Sequence, residues 1–289
     1  MKRTYIATSL LGIICLLIVT ACSNEEASVP PTNNSKHPVT ITAGINKDSR
    51  TRLEYTDNET ETKISWSVAQ EQFSLMYAGA PAGESYLFVK PEGTGGATAS
   101  FTCDNAPATG LIGKKLYGVY PGKETFRASA TGITMNLSQQ PGTLDGIDQY
   151  HLMVAEIPDY ASDGIQQDAN FHFEHKIAIM KLTVRNEEFA NQNVSNIAIA
   201  GMYLIGESTY TLSTGKWSMA MGMNSITATS EVMANASGEA TVYLALIPGM
   251  VLPMTVTAKL SGQTFSGGVS GGTIVAGNMY DAGTISLNK

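Results

Sequence analysis

The chain contains little cysteine, with three in 289 residues. Cys15 lies inside an N-terminal apolar run and Cys22 directly follows that run, which leaves Cys103 for the rest of the chain. A single thiol cannot form an internal disulfide, and no two of these cysteines have the spacing of a zinc site. We therefore expect a fold stabilised by packing alone, with Cys103 as a small buried side chain.

Charged residues are also scarce, at 15% of the chain, and acidic ones predominate. There are 18 Lys and Arg against 25 Asp and Glu, a net charge of −7. Loss of Lys2 and Arg3 with a leader leaves 16 against 25, or −9. A nucleic-acid partner requires clustered basic residues to neutralise phosphates, so nucleic-acid binding is excluded. The hydrophobic fraction of 43% is enough for a sizeable core.

The first 22 residues are organised as an export leader. Met1-Lys2-Arg3 is positively charged, Ile6 to Val19 is almost uniformly apolar, and Val19-Thr20-Ala21-Cys22 ends the run with small residues before a cysteine. This order is typical of a secretory signal peptide, and the final cysteine resembles the lipobox of bacterial lipoproteins. The resemblance implies removal of residues 1–21, acylation of Cys22, with palmitate as one such group, and attachment to the outer membrane. The alternatives are an ordinary cleaved signal with a chance cysteine, or an uncleaved membrane helix, for which the run is shorter than the about 20 residues required.

Residues 22–37 are mostly polar and contain proline, which predicts a flexible tether. Ser23-Asn24-Glu25-Glu26 places two acidic residues soon after the cysteine. This arrangement resembles the surface-export signal of Bacteroidales lipoproteins and implies a position on the cell surface. The alternative is a plain solvated linker.

From residue 38 onward, short apolar runs alternate with turn residues. The runs show the period-2 pattern of half-buried strands, and many of the 28 glycines lie between them. The pattern predicts an all-β fold of antiparallel β-sandwiches. The polar stretch from Asp159 to Asn170 suggests a boundary, so we expect an N-terminal domain over residues 38–168 and a C-terminal domain over residues 169–289.

One cluster could resemble a metal site: His172, Glu174 and His175 place two histidines and a glutamate within four residues. On a strand, His172 and Glu174 face one side and His175 the other, and the order is not H-E-x-x-H. We find no glycine-rich nucleotide loop. We therefore predict no metal, no cofactor and no enzymatic activity, with Phe171, Phe173 and His175 turned inward.

Several segments, in a fixed order, carry a family resemblance. They are Val39 to Ile45 followed by Ser49-Arg50-Thr51-Arg52, then Ile64-Ser65-Trp66, Tyr150 to Ala155, Phe171 to Ala178, Leu246-Ile247-Pro248, and Ala276-Gly277-Asn278-Met279-Tyr280. Together they resemble the fimbrillin family, the subunits of type V pili in Bacteroidales. Two departures occur: Ala69-Gln70-Glu71 stands where the family often has Gly-Asp, and His151 stands where the family has Asp.

The resemblance implies two tandem transthyretin-like β-sandwiches and polymerisation by donor-strand exchange. An arginine-specific or trypsin-like protease would cut after Arg50 or Arg52 and release the first strand. A C-terminal strand from another pilin subunit, expected here around Ile285 and Leu287, would then fill the exposed groove.

The first strand suits this mechanism on physical grounds. Val39, Ile41, Ala43 and Ile45 alternate with period 2, and their burial contributes roughly 5–8 kcal/mol. Their loss would leave an open sheet edge that can pair with another chain. Such a head-to-tail contact can continue as an open filament.

Two other classes of function compete with a polymerising subunit. A non-polymerising surface lipoprotein, as a pilus anchor or tip or as a glycan- or host-protein-binding module, would keep its first strand. Glycan binding usually uses exposed aromatic side chains, and both tryptophans, Trp66 and Trp217, have strand-like surroundings. Loop carboxylates such as Asp145 and Asp163 leave calcium binding open. An enzyme is disfavoured because no nucleophile, base and metal set converges.

Overall fold

The structure is a computed structural model that describes residues 36–45, 66–67, 69–80, 84–93, 95–122, 127–129, 132–218 and 222–289. Within them, regular structure consists of β-strands and two 3-10 turns, Asp148–Tyr150 and Glu187–Phe189. The first ten strands are β1 (Lys36–Ile45), β2 (Glu71–Tyr77), β3 (Tyr86–Lys90), β4 (Thr98–Pro107), β5 (Leu116–Tyr120), β6 (Arg127–Ser129), β7 (Gly132–Asn136), β8 (Gln139–Gln140), β9 (Met153–Ile157) and β10 (Asn170–His175). The others are β11 (Ala178–Arg185), β12 (Asn193–Met202), β13 (Glu207–Thr211), β14 (Lys216–Trp217), β15 (Met223–Ala228), β16 (Val232–Met233), β17 (Glu239–Leu246), β18 (Gly249–Val251), β19 (Met254–Leu260), β20 (Gln263–Val269), β21 (Gly272–Ile274) and β22 (Met279–Ser286).

Three residues with predicted roles, Cys22, Arg50 and Arg52, lie outside the described residues. Their roles in lipid attachment and processing therefore stay predictions. No helix in the described part of the chain is long and apolar enough to cross a membrane.

Seven strands form a closed sheet in the order β1-β10-β9-β5-β2-β3-β4. Alternation of buried and exposed positions along strands such as β4 and β10 turns one face of the sheet inward. The enclosed first core is rich in aromatic residues, including Phe73, Phe88, Phe101, Phe171 and Phe173. Aromatic side chains bury large areas, so a few strands enclose a substantial core.

The remaining strands surround a second core. One sheet has the order β17-β11-β22, and a second has the order β20-β19-β12-β15-β8 with β16 beside β12. Two smaller sheets, β14-β13-β7-β6 and β18-β21, complete the arrangement. Side chains from β11, β12, β17 and β19 belong to one cluster, largely of Ile, Val, Leu and Ala. Branched side chains such as Val and Ile suit two sheets packed face to face.

The two cores share a wall, formed by the closed sheet's strands β2, β5 and β9. All five residues of β5 are buried. Leu116 and Tyr120 belong to the first core, whereas Tyr117 and Val119 on the opposite face belong to the second. A strand covered on both faces has no polar side to present to water, which explains the sequence Leu-Tyr-Gly-Val-Tyr.

The prediction of an all-β β-sandwich fold is confirmed. The two tandem domains over residues 38–168 and 169–289 stay a prediction. The strands near the predicted boundary do not divide between the sheets at residue 168. β10 lies in the closed sheet because it pairs in parallel with β1, while β7 pairs with β13 and β8 with β15.

Candidate strand-docking site

β1 occupies a position between two neighbours in the closed sheet. It runs antiparallel to β4, with Val39 opposite Cys103, Ile41 opposite Phe101 and Ala43 opposite Ala99. On its other side it runs parallel to β10, with Ala43 opposite Phe171 and Ile45 opposite Phe173. Without β1, the facing edges of β4 and β10 would both be unpaired, which is the geometry of a groove that accepts a strand.

The side chains of β1 alternate as the sequence predicts. Val39, Ile41, Ala43 and Ile45 are all buried, and none of these residues is more than 7% exposed. The intervening Thr40 and Thr42 are exposed. Full burial of a Val or Ile side chain contributes about 1.5–3 kcal/mol. The inward face of β1 is therefore a substantial part of the first core.

The core beneath β1 consists largely of aromatic rings carried by other strands. Phe73 on β2 stacks on Phe88 with ring centroids 5.1 Å apart. It also contacts Phe101 edge-on at 5.1 Å and Phe173 at 5.2 Å. Phe101 and Phe173 lie directly opposite residues of β1 in the two neighbouring strands. These ring contacts connect the two walls of the groove without involving β1.

Trp66 covers this core next to the end of β1. Its ring lies 5.0 Å from Phe101, 5.5 Å from Tyr120 and 5.6 Å from Phe173 between centroids. Its indole Nε1 donates a buried hydrogen bond to the carbonyl oxygen of Ala43 at 3.0 Å. The sequence indicated strand-like surroundings for Trp66 but not this contact with the first strand.

The N-terminal end of β1 is attached to the loop after β9. His37 Nε2 lies 3.1 Å from the carbonyl oxygen of Ile165. Ile165 in turn donates its backbone N–H to the carbonyl oxygen of Pro107 at 3.0 Å. The Tyr160 hydroxyl accepts a hydrogen bond from the backbone N–H of Gln166 at 2.9 Å, and burial raises the pKa of Tyr160. The loop thus contacts both β1 and β4.

Cys103 is buried in the groove wall, as expected for a small side chain. Only 2% of it is exposed, and it lies on β4 opposite Val39. Its Sγ donates a hydrogen bond to Asn105 Oδ1 at 3.1 Å. Because Val39 of β1 lies opposite Cys103, we expect departure of β1 to expose the thiol, which makes it a chemical probe of whether β1 is in place.

The predicted C-terminal donor residues lie elsewhere. β22 pairs in parallel with β11, and Ile285 on it is half-buried opposite Val184. Leu287, just after β22, is buried, and its carbonyl oxygen accepts a hydrogen bond from Asn186 Nδ2 at 2.7 Å. β22 and β1 belong to different sheets. Within one chain the structure therefore does not bring the predicted donor and the groove together.

The strand that carries His172, Glu174 and His175 has the predicted orientation. Phe171, Phe173 and His175 are buried, while His172 and Glu174 are exposed. Sequence reasoning missed the partner of His175, which is the equally buried His151. His151 departs from the family's Asp, but that departure does not indicate which side chain it contacts.

One ion pair involves a groove strand, β10. Glu174 Oε2 accepts from Lys176 Nζ at 2.8 Å. Desolvation lowers the pKa of Lys176, but this hydrogen bond and the neighbouring Tyr210 and Glu174 together raise it above its usual value. Within the described ranges, no group of three or more His, Cys, Asp or Glu side chains is placed to hold a metal ion.

Comparisons with known proteins place this geometry in context. Among solved structures, a candidate cell adhesion protein of Bacteroides ovatus is 18% identical, with a TM-score of 0.55 over 88% of this chain and 96% of its own. Another from Bacteroides uniformis is 18% identical, with a TM-score of 0.52 over 90% and 94%. A third, from Bacteroides fragilis, is 13% identical, with a TM-score of 0.50 over 87% and 93%. At these identities the likeness shows a common fold.

The family of this chain is shown by its sequence. None of the curated proteins is significantly similar to this chain. A family model described as fimbrillin-like matches residues 113–289, from three residues before β5 to the last residue of the sequence. This match covers more than half of the chain, so the protein belongs to the fimbrillin-like family.

Proposed function

We propose that this protein is a structural pilus subunit that supports adhesion at the cell surface and has no catalytic activity. In this proposal it begins as an outer-membrane lipoprotein attached through Cys22. A trypsin-like or arginine-specific protease cuts after Arg50 or Arg52, and β1 then leaves the groove. A C-terminal strand of another subunit, from the region of Ile285 and Leu287, takes its place in the fimbrium.

The position of β1 between β4 and β10 is the observation that carries this proposal. A strand at the edge of a sheet can leave and expose one edge, whereas departure of β1 would open two edges and an apolar core at once. Such a site is filled best by another strand, because strand addition supplies backbone hydrogen bonds and side chains for the pockets. Since groove and donor strand are different surfaces, the contact can propagate.

Membership of the fimbrillin-like family supports the same function. Three solved structures with this fold are described as candidate cell adhesion proteins. Adhesion by this chain is our inference from that likeness.

The test is controlled proteolysis, with an arginine-specific protease, of a chain that begins at Ser23. We expect cleavage after Arg50 or Arg52 to give concentration-dependent ladders of oligomers on native gels. A matched chain with Arg50→Gln and Arg52→Gln should remain intact and monomeric under the same treatment. Persistent monomers after complete trimming of the wild-type chain would contradict polymerisation.

The docking of the C-terminal segment in its own chain favours a second candidate. Leu287 is 1% exposed, so a subunit that keeps this strand in place would act as a pilus anchor or tip, or as another non-polymerising surface lipoprotein. N-terminal sequencing of the protein recovered from the cell surface separates the candidates. A start at Cys22 favours the second one, and a start after an arginine favours the polymerising subunit.

A further inference from the structure

The hydrogen bond between Trp66 and Ala43 differs from the other side-chain contacts of β1. The bonds made by His37 and Thr40 lie at partly buried and exposed positions, respectively. The bond from Trp66 Nε1 to the Ala43 carbonyl is buried. A buried donor that loses its acceptor is costly, whereas an exposed one can bond to water.

Trp66 is held in place by parts of the chain other than β1. Its backbone N–H donates to the carbonyl oxygen of Gly96 at 2.7 Å, and Gly96 N–H donates to the Trp66 carbonyl oxygen at 3.0 Å. A Cβ on Gly95 would lie 2.7 Å from that same carbonyl oxygen, so glycine is required for this approach. Together with the contacts to Phe101 and Tyr120, this bridge positions the indole N–H toward the groove.

The order of residues along the chain decides which side of a cut Trp66 belongs to. Arg50 and Arg52 both precede Trp66 in the sequence. Cleavage after either arginine separates β1 from Trp66, and Trp66 stays with β4 and β10. If β1 leaves, the indole N–H has no Ala43 carbonyl to bond to, and any new strand must present a carbonyl oxygen at the same point.

The inward position at this point carries the smallest side chain of the inward face of β1. Ala43 is completely buried, and its neighbours are Ala99 on β4 and Phe171 on β10. The adjacent inward positions of β1 carry the larger Ile41 and Ile45. Additional methylene groups in a filled core force neighbouring side chains out of position. A shift of the strand by two residues would place Ile41 or Ile45 where Ala43 lies, so the difference in side-chain size distinguishes the native register from a shifted one.

We propose that Trp66 sets the register of whichever strand fills the groove and selects for a small residue beside the bonded carbonyl. The occupant is then a β-strand of another subunit that carries Ala or a residue of similar size at this position and branched apolar residues two positions away on each side. This inference rests on the proposed strand exchange for its partner, but the register role itself can be tested on β1.

The first test uses a chain that begins at Ser23, in which Cys103 is the only thiol. The labelling rate of Cys103 reports opening of β1. We expect Ala43→Leu to accelerate labelling about tenfold or more, while the outward-facing Thr42→Leu stays within about twofold. Trp66→Phe retains a ring but has no N–H, and we expect about fivefold faster labelling from loss of one buried hydrogen bond.

A role of Trp66 in packing alone would predict a different result. In that case Trp66→Phe would alter Cys103 labelling only as much as it alters global unfolding in denaturant. In the wild-type chain, we also expect hydrogen exchange of the Trp66 indole N–H to follow the opening measured by Cys103 labelling. An indole N–H that exchanges rapidly while Cys103 remains protected would overturn the register role.

The closing test adds synthetic peptides with the sequence of residues 37–45 to the full chain after cleavage at the arginines. We expect the native peptide and its Thr42→Leu version to restore protection of Cys103, with the Ala43→Leu version at least about tenfold weaker. Equal protection by all three would overturn the selection for a small residue. Failure of the native peptide would instead contradict strand exchange, and with it this selection in a partner.

Discussion

His151 Nε2 and His175 Nδ1 share a hydrogen bond inside the protein, with the two rings stacked at 4.4 Å between centroids and 27° between planes. The outer nitrogens, His151 Nδ1 and His175 Nε2, have no hydrogen-bond partner among the residues that the structure describes. Burial lowers the pKa of His151 to about 3. Burial, followed by the charges of His151 and Lys176, holds the pKa of His175 well below its usual value. Both rings are therefore neutral in the folded protein at pH 7.

We predict that acid destabilises the protein through this pair. Because the folded pKa of His151 lies below the unfolded value of 6.5, the unfolded chain binds more protons between about pH 6.5 and 3. The free energy of unfolding therefore falls as the pH falls through this window. For His151 the slope is about 1.4 kcal/mol per pH unit, which gives about 2 kcal/mol at pH 5, and His175 adds to the loss in the same direction. Denaturant unfolding at pH 7 and pH 5 measures the loss.

Two variants identify the source of this pH dependence. The double variant His151→Met and His175→Met should lose most of the difference between pH 7 and pH 5, whatever its absolute stability. His172, exposed on the same strand, supplies the control, and His172→Gln should retain the difference. An unchanged slope in the double variant would assign the acid sensitivity to other groups.

A second prediction concerns Gln140, whose buried amide connects β8 to β17. Its Nε2 donates to the carbonyl oxygens of Leu137 at 3.0 Å and Ala245 at 2.9 Å. Its Oε1 accepts from the Ala245 N–H at 2.8 Å. Gln140→Met retains the length but leaves buried backbone groups unpaired, so we expect a loss of about 2–4 kcal/mol in denaturant unfolding.

The neighbouring Gln139 provides a matched control, because its side chain is exposed. Gln139→Met should change the free energy of unfolding by less than about 0.5 kcal/mol. Similar losses in the two variants would mean that the amide of Gln140 contributes little beyond its bulk.

Much of the fold could be predicted because alternation is a local property. The buried and exposed residues of β1 and β10 follow directly from their period-2 sequences. β5 was recognisable as a strand, but its burial on both faces depends on the second core, which Tyr117 and Val119 join only after folding. The parallel pairing of β1 with β10 joins segments more than a hundred residues apart and leaves no local pattern.

The candidate site was predictable to the same extent. The inward residues of β1 were found from their alternation, whereas the bond from Trp66 to Ala43 depends on the bridge between Trp66 and Gly96. His151 and His175 each occur in a recognisable segment, yet nothing in either segment indicates that the two rings meet. Contacts between distant side chains require the tertiary structure.

A third prediction measures what one inward residue of β1 contributes. Ile41 is 1% exposed, so Ile41→Ala should lower the free energy of unfolding by about 2–5 kcal/mol through lost burial and a cavity. Thr42→Ala, at an exposed neighbouring position, should change it by less than about 0.5 kcal/mol. Thermal or denaturant unfolding distinguishes the two. A small loss for Ile41→Ala would mean that the core closes around the missing atoms, or that β1 is already absent from the folded population.

The last prediction concerns how tightly the C-terminal strand is held. Asn186 uses two different atoms: Nδ2 donates to the Leu287 carbonyl at 2.7 Å, and Oδ1 accepts from the Glu188 N–H at 2.9 Å. Asn186→Asp retains the acceptor for Glu188 but replaces the donor for Leu287 with a carboxylate oxygen. We expect faster hydrogen exchange in β22, equivalent to a local loss of about 1–3 kcal/mol.

A matched change of charge tests whether this effect is local. Asn193 is exposed at the start of β12, and Asn193→Asp should leave exchange in β22 unchanged. In the Asn186→Asp chain, amides of β12 should keep their protection while those of β22 lose it, since β22 borders β11 alone in its sheet. If β22 is the donor strand, the cleaved Asn186→Asp chain should also assemble faster than the cleaved wild type, because the variant loosens the strand without altering its own sequence. If hydrogen exchange in β22 is faster but assembly of the cleaved chain is not, loosening β22 does not promote strand donation. That result would favour the anchor or tip role.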